Sequence, residues 1–282
     1  MSLGIAFKGP EGIVLAADSR VTLMTIAQAN LATPGTSQQV LLQATFDNAT
    51  KLLRVRGQDY VGAVTYGAGA IGAREPRTAS SFIPEFENEL ANAKVERLTV
   101  EDFAKRLGDF FMRQWIASGM PSTVAPGQEM VFLVGGYDPD AAYGKTFELN
   151  IPSMPVPHET MPAGQFGATW GGQGEVAHRI LHGFDPQVPT LIRDILQIPP
   201  QNLTPSLEEQ LKAKLSFPIP WQFLPLQDCV DLSIFLVRTT ITLQKWMVGI
   251  RGVGGMVDIA TITRTEGFRA IQQKQISGER VL

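Results

Sequence analysis

A glycine pattern at residues 67–72 matches the motif of dinucleotide-binding turns. The segment reads Gly67-Ala-Gly-Ala-Ile-Gly72, and Glu87 follows at about the 20-residue spacing of the acidic residue that binds a ribose. Such glycines allow the backbone to approach a pyrophosphate where a helix begins. Pro76, however, lies where the second turn of that helix would form, and the preceding segments read as hairpins. We therefore predict a structural turn, and a dinucleotide-binding protein remains a remote alternative.

Two histidines are spaced so that a helix would place them on one face, as two metal ligands can be. They are His178 and His182, separated by Arg179-Ile-Leu181. The intervening residues lack the glutamate of a zinc protease, and the nearby carboxylates are only Glu175 and Asp185. We predict a structural or surface pair, with no metal and no cofactor.

A serine and an aspartate are brought together by a predicted hairpin at the start of the chain. Two apolar runs flank residues 9–12, in which proline suits the first corner of a type I turn. Gly12 suits the left-handed position of a three-residue loop. In that register Asp18 lies opposite Gly4, and Ser2 is its diagonal neighbour on the same face.

Further strands and helices are predicted in an order typical of two stacked sheets. Strands are expected at 51–55, 60–65, 130–134, 145–149, 165–170 and 256–263. Helices are expected at 80–94, at 100–116 with Thr99 as N-cap, and at 175–183, 191–197 and 228–247. Residues 22–48 read as a loop, and residues 198–225 form a proline-rich insert. Because residues 13–17 are apolar on both faces, helices should cover both outer faces of the stack.

Composition limits the class of protein. The 282 residues include 24 Lys and Arg against 27 Asp and Glu, so no basic excess favours a nucleic-acid partner. A hydrophobic fraction of 44% predicts a packed core, and no apolar run approaches the roughly 18 residues that span a membrane. The N-terminus lacks the features of a signal peptide, so we expect a cytoplasmic protein. The single cysteine, Cys229, excludes an internal disulfide and is expected to be a small buried hydrophobe.

Motifs at both ends of the chain resemble the proteasome β-subunit family. Ile5-Ala-Phe-Lys8, Gly12 and Ala16-Ala-Asp-Ser-Arg20 resemble its opening hairpin, and Gly254-Gly-Met-Val-Asp-Ile-Ala-Thr-Ile-Thr-Arg264 followed by Glu266-Gly267 resembles its closing strand. The resemblance, to a divergent prokaryotic-type member, covers most of the chain apart from inserts near 22–48, 150–163 and 186–226. It implies one domain over residues 1–282 with an α+β fold. The expected architecture is a four-layer αββα sandwich of two stacked, mainly antiparallel sheets.

The resemblance also implies an N-terminal-nucleophile hydrolase that cleaves peptide bonds. In that family the hydroxyl of the first mature residue attacks the peptide carbonyl, and its α-amine is the general base. This role falls on Ser2, where the family usually has threonine, and removal of Met1 by methionine aminopeptidase would expose the amine. Asp18 and Lys51 match the aspartate and lysine beside the hydroxyl, and Gly67 matches the glycine whose N–H stabilises the oxyanion.

Three positions depart from the family pattern. Gly171, Ile250 and Val253 stand where the family carries a serine, an aspartate and a second serine that orient the N-terminus. Two functions therefore stay open: a peptidase acting on peptides or unfolded proteins, and a noncatalytic structural or binding subunit. In both cases we expect a homo-oligomeric ring, which other proteasome-like subunits or an ATPase could join.

Overall fold

Two five-stranded antiparallel sheets form the centre of the fold. A computed structural model describes residues 2–30, 37–72, 75–197, 207–249, 251–275 and 278. Its strands are β1 (Leu3–Lys8), β2 (Ile13–Asp18), β3 (Val21–Asn30), β4 (Ser37–Phe46), β5 (Leu52–Leu53), β6 (Val61–Gly67), β7 (Met130–Gly136), β8 (Lys145–Ile151), β9 (Met154–Glu159), β10 (Gly167–Gly172), β11 (Val257–Thr263) and β12 (Gly267–Gln272). The first sheet has the order β10-β1-β2-β11-β12, and the second has the order β5-β6-β7-β8-β9.

Helices cover the outer face of each sheet. They are α1 (Ile83–Asn92), α2 (Val100–Ala117), α3 (Glu175–His182), α4 (Val188–Leu196), α5 (Leu207–Leu215) and α6 (Leu226–Gln244). Helix α6 packs across β1, β2 and β11, whereas α2 packs against β7, β8 and β9. This arrangement confirms the predicted α+β sandwich of stacked sheets. None of the helices in the described ranges has the length and hydropathy needed to cross a membrane.

Helix α2 shows how the sequence specifies an outer layer. Phe103, Leu107, Phe111 and Trp115 recur at intervals of four residues and are all buried. The predicted N-cap is confirmed, because the Thr99 hydroxyl accepts the Asp102 N–H at 3.1 Å. The helix therefore places one apolar face on the second sheet.

The first hairpin has a tighter loop than the predicted one. The Gly9 N–H donates to the Gly12 carbonyl at 2.9 Å, so the loop has two residues rather than three. Gly12 does not have a positive φ, so this loop does not need the left-handed glycine on which the predicted register depended. The pairing consequently moves by one residue. Asp18 lies beside Leu3, whose N–H donates to it at 3.0 Å, rather than opposite Gly4.

Residues 22–48 are not the loop that the sequence predicted. β3 pairs with β4 over ten residues, from Val21 opposite Phe46 to Asn30 opposite Ser37, as a separate two-stranded sheet. Both segments are rich in β-branched and apolar residues, which suit strands even when polar residues are interleaved. The predicted loop is therefore wrong over most of its length.

The edge strands and one helix were also missed. β9 and β12 are edge strands with partly exposed residues, so their hydrophobic pattern is weak. Helix α5 lies within the proline-rich insert, of which residues 198–206 fall outside the described residues. The expected strand at 51–55 is reduced to the two residues of β5.

Candidate active site

The Asp18 carboxylate is the point where the elements of the site meet. Asp18 ends β2, and its side chain is fully buried. One oxygen accepts the Leu3 N–H at 3.0 Å and the Lys51 ammonium at 2.6 Å. The other oxygen accepts the N–H groups of Arg20 at 3.0 Å and Gly254 at 2.9 Å. Four donors therefore compensate the buried negative charge, and three of them are backbone groups.

Lys51 brings a positive charge into the same interior. The residue is 5% exposed and immediately precedes β5 in the second sheet, so its side chain bridges the two sheets to reach Asp18. Burial lowers the pKa of Lys51, and the neighbouring Asp18 carboxylate opposes that change. A buried ammonium is tolerated here because its partner is close and itself fully hydrogen-bonded.

Ser2 directly precedes β1 of the first sheet and lies near the lysine of this ion pair. It is 4% exposed, and its carbonyl accepts the Gln173 N–H at 2.8 Å. Gly172 has a φ of 84°, and a side chain there would collide with the Ser2 carbonyl. Ser2 and Lys51 line one cavity of about 20 Å³, which has room for about one water molecule. The structure therefore brings Ser2, Asp18 and Lys51 together.

Gly67 is the last residue of β6 and directly follows Tyr66. Its φ is 86°, and a Cβ at this position would collide with the Glu129 carbonyl, so the backbone here requires glycine. Gly67 lines a second cavity of about 320 Å³, and Tyr66 lines both this cavity and the one that contains Ser2. The cavities lined by Gly67 and by Ser2 therefore lie next to each other, with Tyr66 lining both.

The glycine-rich segment after β6 does not lead directly into a helix. β6 is antiparallel to β7, and Ile71 instead forms a bridge with Arg77. The first helical turn after it in the described part of the chain begins at Ala79. The parallel strand followed by a helix that a pyrophosphate site requires is therefore not built from these described residues.

Tyr66 occupies the space that a side chain at position 171 would need. A Cβ on Gly171 would collide with the Tyr66 phenol, and a Cβ on Gly4 would come within 2.8 Å of its ring. The phenol donates a hydrogen bond to Glu148 at 3.3 Å. Burial, together with Glu148, raises the pKa of Tyr66, so the phenol keeps its proton. Glycine at position 171 is thus the steric complement of a tyrosine at position 66.

Two glutamines connect Ser2 to the loop before β11. The Val253 N–H donates to Gln244 at 2.8 Å, and the Gln244 amide donates to the Gln173 side chain at 2.5 Å. Gln173 in turn binds the Ser2 carbonyl through its N–H. Ile250 lies outside the described residues. Neither glutamine could be predicted as part of the site, because one amide at the end of a helix and another after a strand follow no local sequence pattern.

The histidine pair forms part of a packed aromatic cluster. His178 and His182 meet edge to face with ring centroids 4.7 Å apart, and each ring also contacts Trp170 and Phe184. His182 Nδ1 is 3.0 Å from the Ser216 hydroxyl. Within the described ranges, no three His, Cys, Asp or Glu residues are grouped so that they could hold a metal ion.

Cys229 is a buried thiol. The side chain is fully buried against the first sheet, and burial raises its pKa to about 12. A thiol that stays protonated is a poor nucleophile, which fits the expected packing role.

A size-swap experiment tests the relation between Tyr66 and Gly171. We expect Gly171→Ser to lower the free energy of unfolding by about 1 to 3 kcal/mol, because the new side chain overlaps the phenol. Tyr66→Ala alone should also destabilise, because it leaves a cavity. The double variant should be more stable than the sum of the two losses predicts, by about 1 kcal/mol or more.

Urea unfolding measures all three variants. Gly278→Ser is the control, because a side chain at Gly278 would meet open space. Strict additivity of the two changes would show that the residues do not compete for the same volume.

The histidine cluster predicts a pH dependence of stability. Burial and the charge of His178 lower the pKa of His182 to about 4. Since the folded-state pKa lies below the unfolded value of about 6.5, the cluster contributes fully above that value. Its contribution should be lost as the pH falls toward 4, by about 1 to 2 kcal/mol after solvent screening.

His182→Asn removes the titrating ring and keeps a polar group near Ser216. Urea unfolding at pH 7.5 and 4.5 should show a smaller loss for this variant than for the unsubstituted protein. Equal losses would contradict the assignment of this pH dependence to His182.

Comparisons with known proteins identify the fold. No protein-family model matches the chain, and no curated protein matches it. Among solved structures, the Anbu (Gly-1) mutant from Hyphomicrobium sp. strain MC1 is similar, with 99% of this chain and 88% of that chain covered. The TM-score is 0.53 and the sequence identity is 14%, so the likeness shows the fold alone. The chain therefore shares with that structure the α+β fold of stacked antiparallel sheets covered by helices.

Proposed function

We propose that the protein is a ring-forming peptidase that uses Ser2 as an N-terminal nucleophile once Met1 has been removed. The observation that carries this proposal is the cavity shared by Ser2 and Lys51, where the lysine is held by a fully buried, four-donor aspartate. A buried charge pair beside a serine at the start of a strand is costly to build. We infer that the ion pair is present because the Lys51 ammonium stabilises the alkoxide of Ser2.

The mechanism begins with attack of the Ser2 oxygen on a peptide carbonyl. The hydroxyl proton moves to the Ser2 α-amine, whose ordinary pKa of roughly 7.7 to 8 suits a base at neutral pH. The Lys51 ammonium favours the developing negative charge on the Ser2 oxygen, and Asp18 keeps that ammonium in place. The Gly67 N–H stabilises the oxyanion of the tetrahedral intermediate.

Collapse of the intermediate breaks the peptide bond and leaves the acyl group on Ser2. The proton held by the α-amine passes to the leaving amine of the substrate. Water then attacks the ester by the same route, releases the carboxylic acid and restores the hydroxyl. A peptide or an unfolded protein is the proposed substrate, which is the class that the family resemblance implies.

A noncatalytic ring subunit is the second candidate function. Gly171 and Val253 supply no side-chain hydroxyl to the N-terminus, and the Val253 N–H is already bonded to Gln244. The cavity beside Ser2 has room for about one water molecule and not for a substrate side chain. Both observations favour a scaffold that retains the buried ion pair without turnover.

Acylation of Ser2 distinguishes the two functions. For a chain shown to begin at Ser2, a hydroxyl-reactive peptide electrophile should add one adduct, measured by intact mass. Ser2→Ala should abolish the adduct, Ser2→Thr should preserve it, and Lys51→Met should slow it by about 100-fold because the alkoxide loses its countercharge.

Ser153→Ala is the matched control, because Ser153 is exposed and distant in sequence from the ion pair. An unlabelled chain with a free Ser2 amine, also inactive on a diverse peptide library, would favour the noncatalytic scaffold.

Ring assembly is proposed for either function, supported by the shared fold and by one apolar surface. Trp246, Met247 and Val248 follow α6 and are exposed by 75%, 59% and 103%. Contiguous exposed apolar residues on a folded chain commonly mark protein interfaces. We propose that a second copy of this chain covers them.

Light scattering tests the assembly. We expect a mass several times that of the 30.7 kDa chain, and we expect Trp246→Ser with Val248→Ser to reduce it. Phe223→Ser is the control, because Phe223 is equally exposed at 75% but precedes the start of α6, whereas Trp246 follows its end. A mass of one chain at every concentration would contradict the ring.

A further inference from the structure

We infer that Lys274 and Asp258 form a second ion pair that positions Lys51 and sets its electrostatic environment. Both residues lie outside the set that the family resemblance marked as catalytic. The inference rests on the proposed function for its catalytic consequence, although its structural part stands on contacts alone.

Asp258 is buried beside the strand that carries Asp18. It lies on β11 directly opposite Ala17, and its side chain is fully buried. Its two oxygens accept the Lys274 ammonium at 2.5 Å and the Lys274 N–H at 3.0 Å. These two hydrogen bonds hold the segment that follows β12 against β11, next to the site.

Lys274 also holds the backbone that leads into Lys51. Its ammonium donates to the Ala49 carbonyl at 2.7 Å, and the Ala49 N–H donates to the Ser19 carbonyl at 2.9 Å. Ala49 lines the same cavity as Ser2 and Lys51. A residue two positions before Lys51 is thus held between the Lys274 ammonium and the residue after Asp18.

The four charges alternate in sign within one buried region. Asp18 faces Lys51 from β2, Asp258 faces it from β11 and Lys274 from the segment after β12. Asp47, paired with Arg20, lies at the solvent side of the same group. Because Asp258 and Lys274 act on Lys51 with opposite sign, removing one of them leaves the other uncompensated.

The charge of Lys274 therefore has two separable effects. It balances Asp258, which otherwise stabilises the charged form of Lys51, and it fixes the Ala49 carbonyl. Lys274→Met removes both effects. The double change Lys274→Met with Asp258→Asn restores the charge balance but leaves Ala49 without its donor.

Titration of Lys51 tests the electrostatic effect without any catalysis. In a Ser2→Ala background with ¹³C-labelled lysines, assigned through Lys51→Met, we expect Lys274→Met to raise the midpoint of the Lys51 titration, because a neighbouring positive charge is removed. The double variant should return the midpoint to near its original value. Lys245→Met is the control, because Lys245 is exposed.

Acylation of the Ser2 chain tests the positioning effect. We expect Lys274→Met and the double variant to slow labelling by about tenfold or more, and Lys274→Arg to rescue it, because arginine keeps a donor and a charge. If Lys274→Met does not fold, the double variant, which leaves no unpaired charge, carries the test.

The outcomes separate this inference from the proposed function. A Ser2 chain that is never labelled contradicts the peptidase, yet the Lys51 titration still decides the electrostatic effect. Unchanged midpoints in folded Lys274→Met would overturn the electrostatic effect. An unchanged labelling rate in the double variant would overturn the positioning effect and leave a purely structural ion pair.

Discussion

The buried carboxylate of Asp18 is the constraint on which the rest of the site depends. A fully buried negative charge is tolerated only with several donors. Here they come from β1, from Arg20 two residues after β2, from the loop before β11 and from Lys51, which directly precedes β5 of the second sheet. The hydrogen bonds to this one carboxylate therefore connect the two sheets and bring residues near the start of the sequence next to the loop before β11. The same contacts place the start of β1, and with it Ser2, beside the lysine.

A second constraint is the volume of the Tyr66 side chain. Its ring lies over Gly4 of β1 and Gly171 of β10, where neither position has room for a side chain. Gly171 therefore stands where the family resemblance led us to expect a serine, and Tyr66 fills the space that the serine side chain would need. The region beside Ser2 is closely packed as a result, which explains why the cavity there is as small as about 20 Å³.

Charge pairing extends the site beyond the residues that carry the proposed chemistry. Asp258 and Lys274 repeat, one strand further along the sheet, the arrangement of Asp18 and Lys51. Burying a single unpaired charge costs free energy. Each ion pair therefore stabilises the other, because positive and negative side chains lie next to one another. The C-terminal strand β12 is then more than an edge strand, since it delivers Lys274 to the site.

Local patterns in the sequence determined the helices, the buried strands and the order of the layers. The spacing of Phe103, Leu107 and Trp115 predicted α2, and the Thr99 cap marked its start, because both signals arise from contacts within one or two turns. The opening hairpin was also predicted, since it is a local structure, although its register was not. These features could be predicted because neighbouring residues decide them.

Only the tertiary structure decided the register of that hairpin, the pairing of β3 with β4 and the composition of the site's surroundings. The two-residue loop and the Leu3 contact show that the pairing is shifted by one residue from the predicted register. A strand that is apolar on both faces has the same hydrophobic pattern in either register, so the sequence could not distinguish them. Tyr66 over Gly171 and Lys274 on Asp258 are contacts between separate strands and segments. The geometry of these contacts depends on how the sheets stack and on which oppositely charged residue lies next to each buried charge. Neither can be predicted from the hydrophobic periodicity of a single segment.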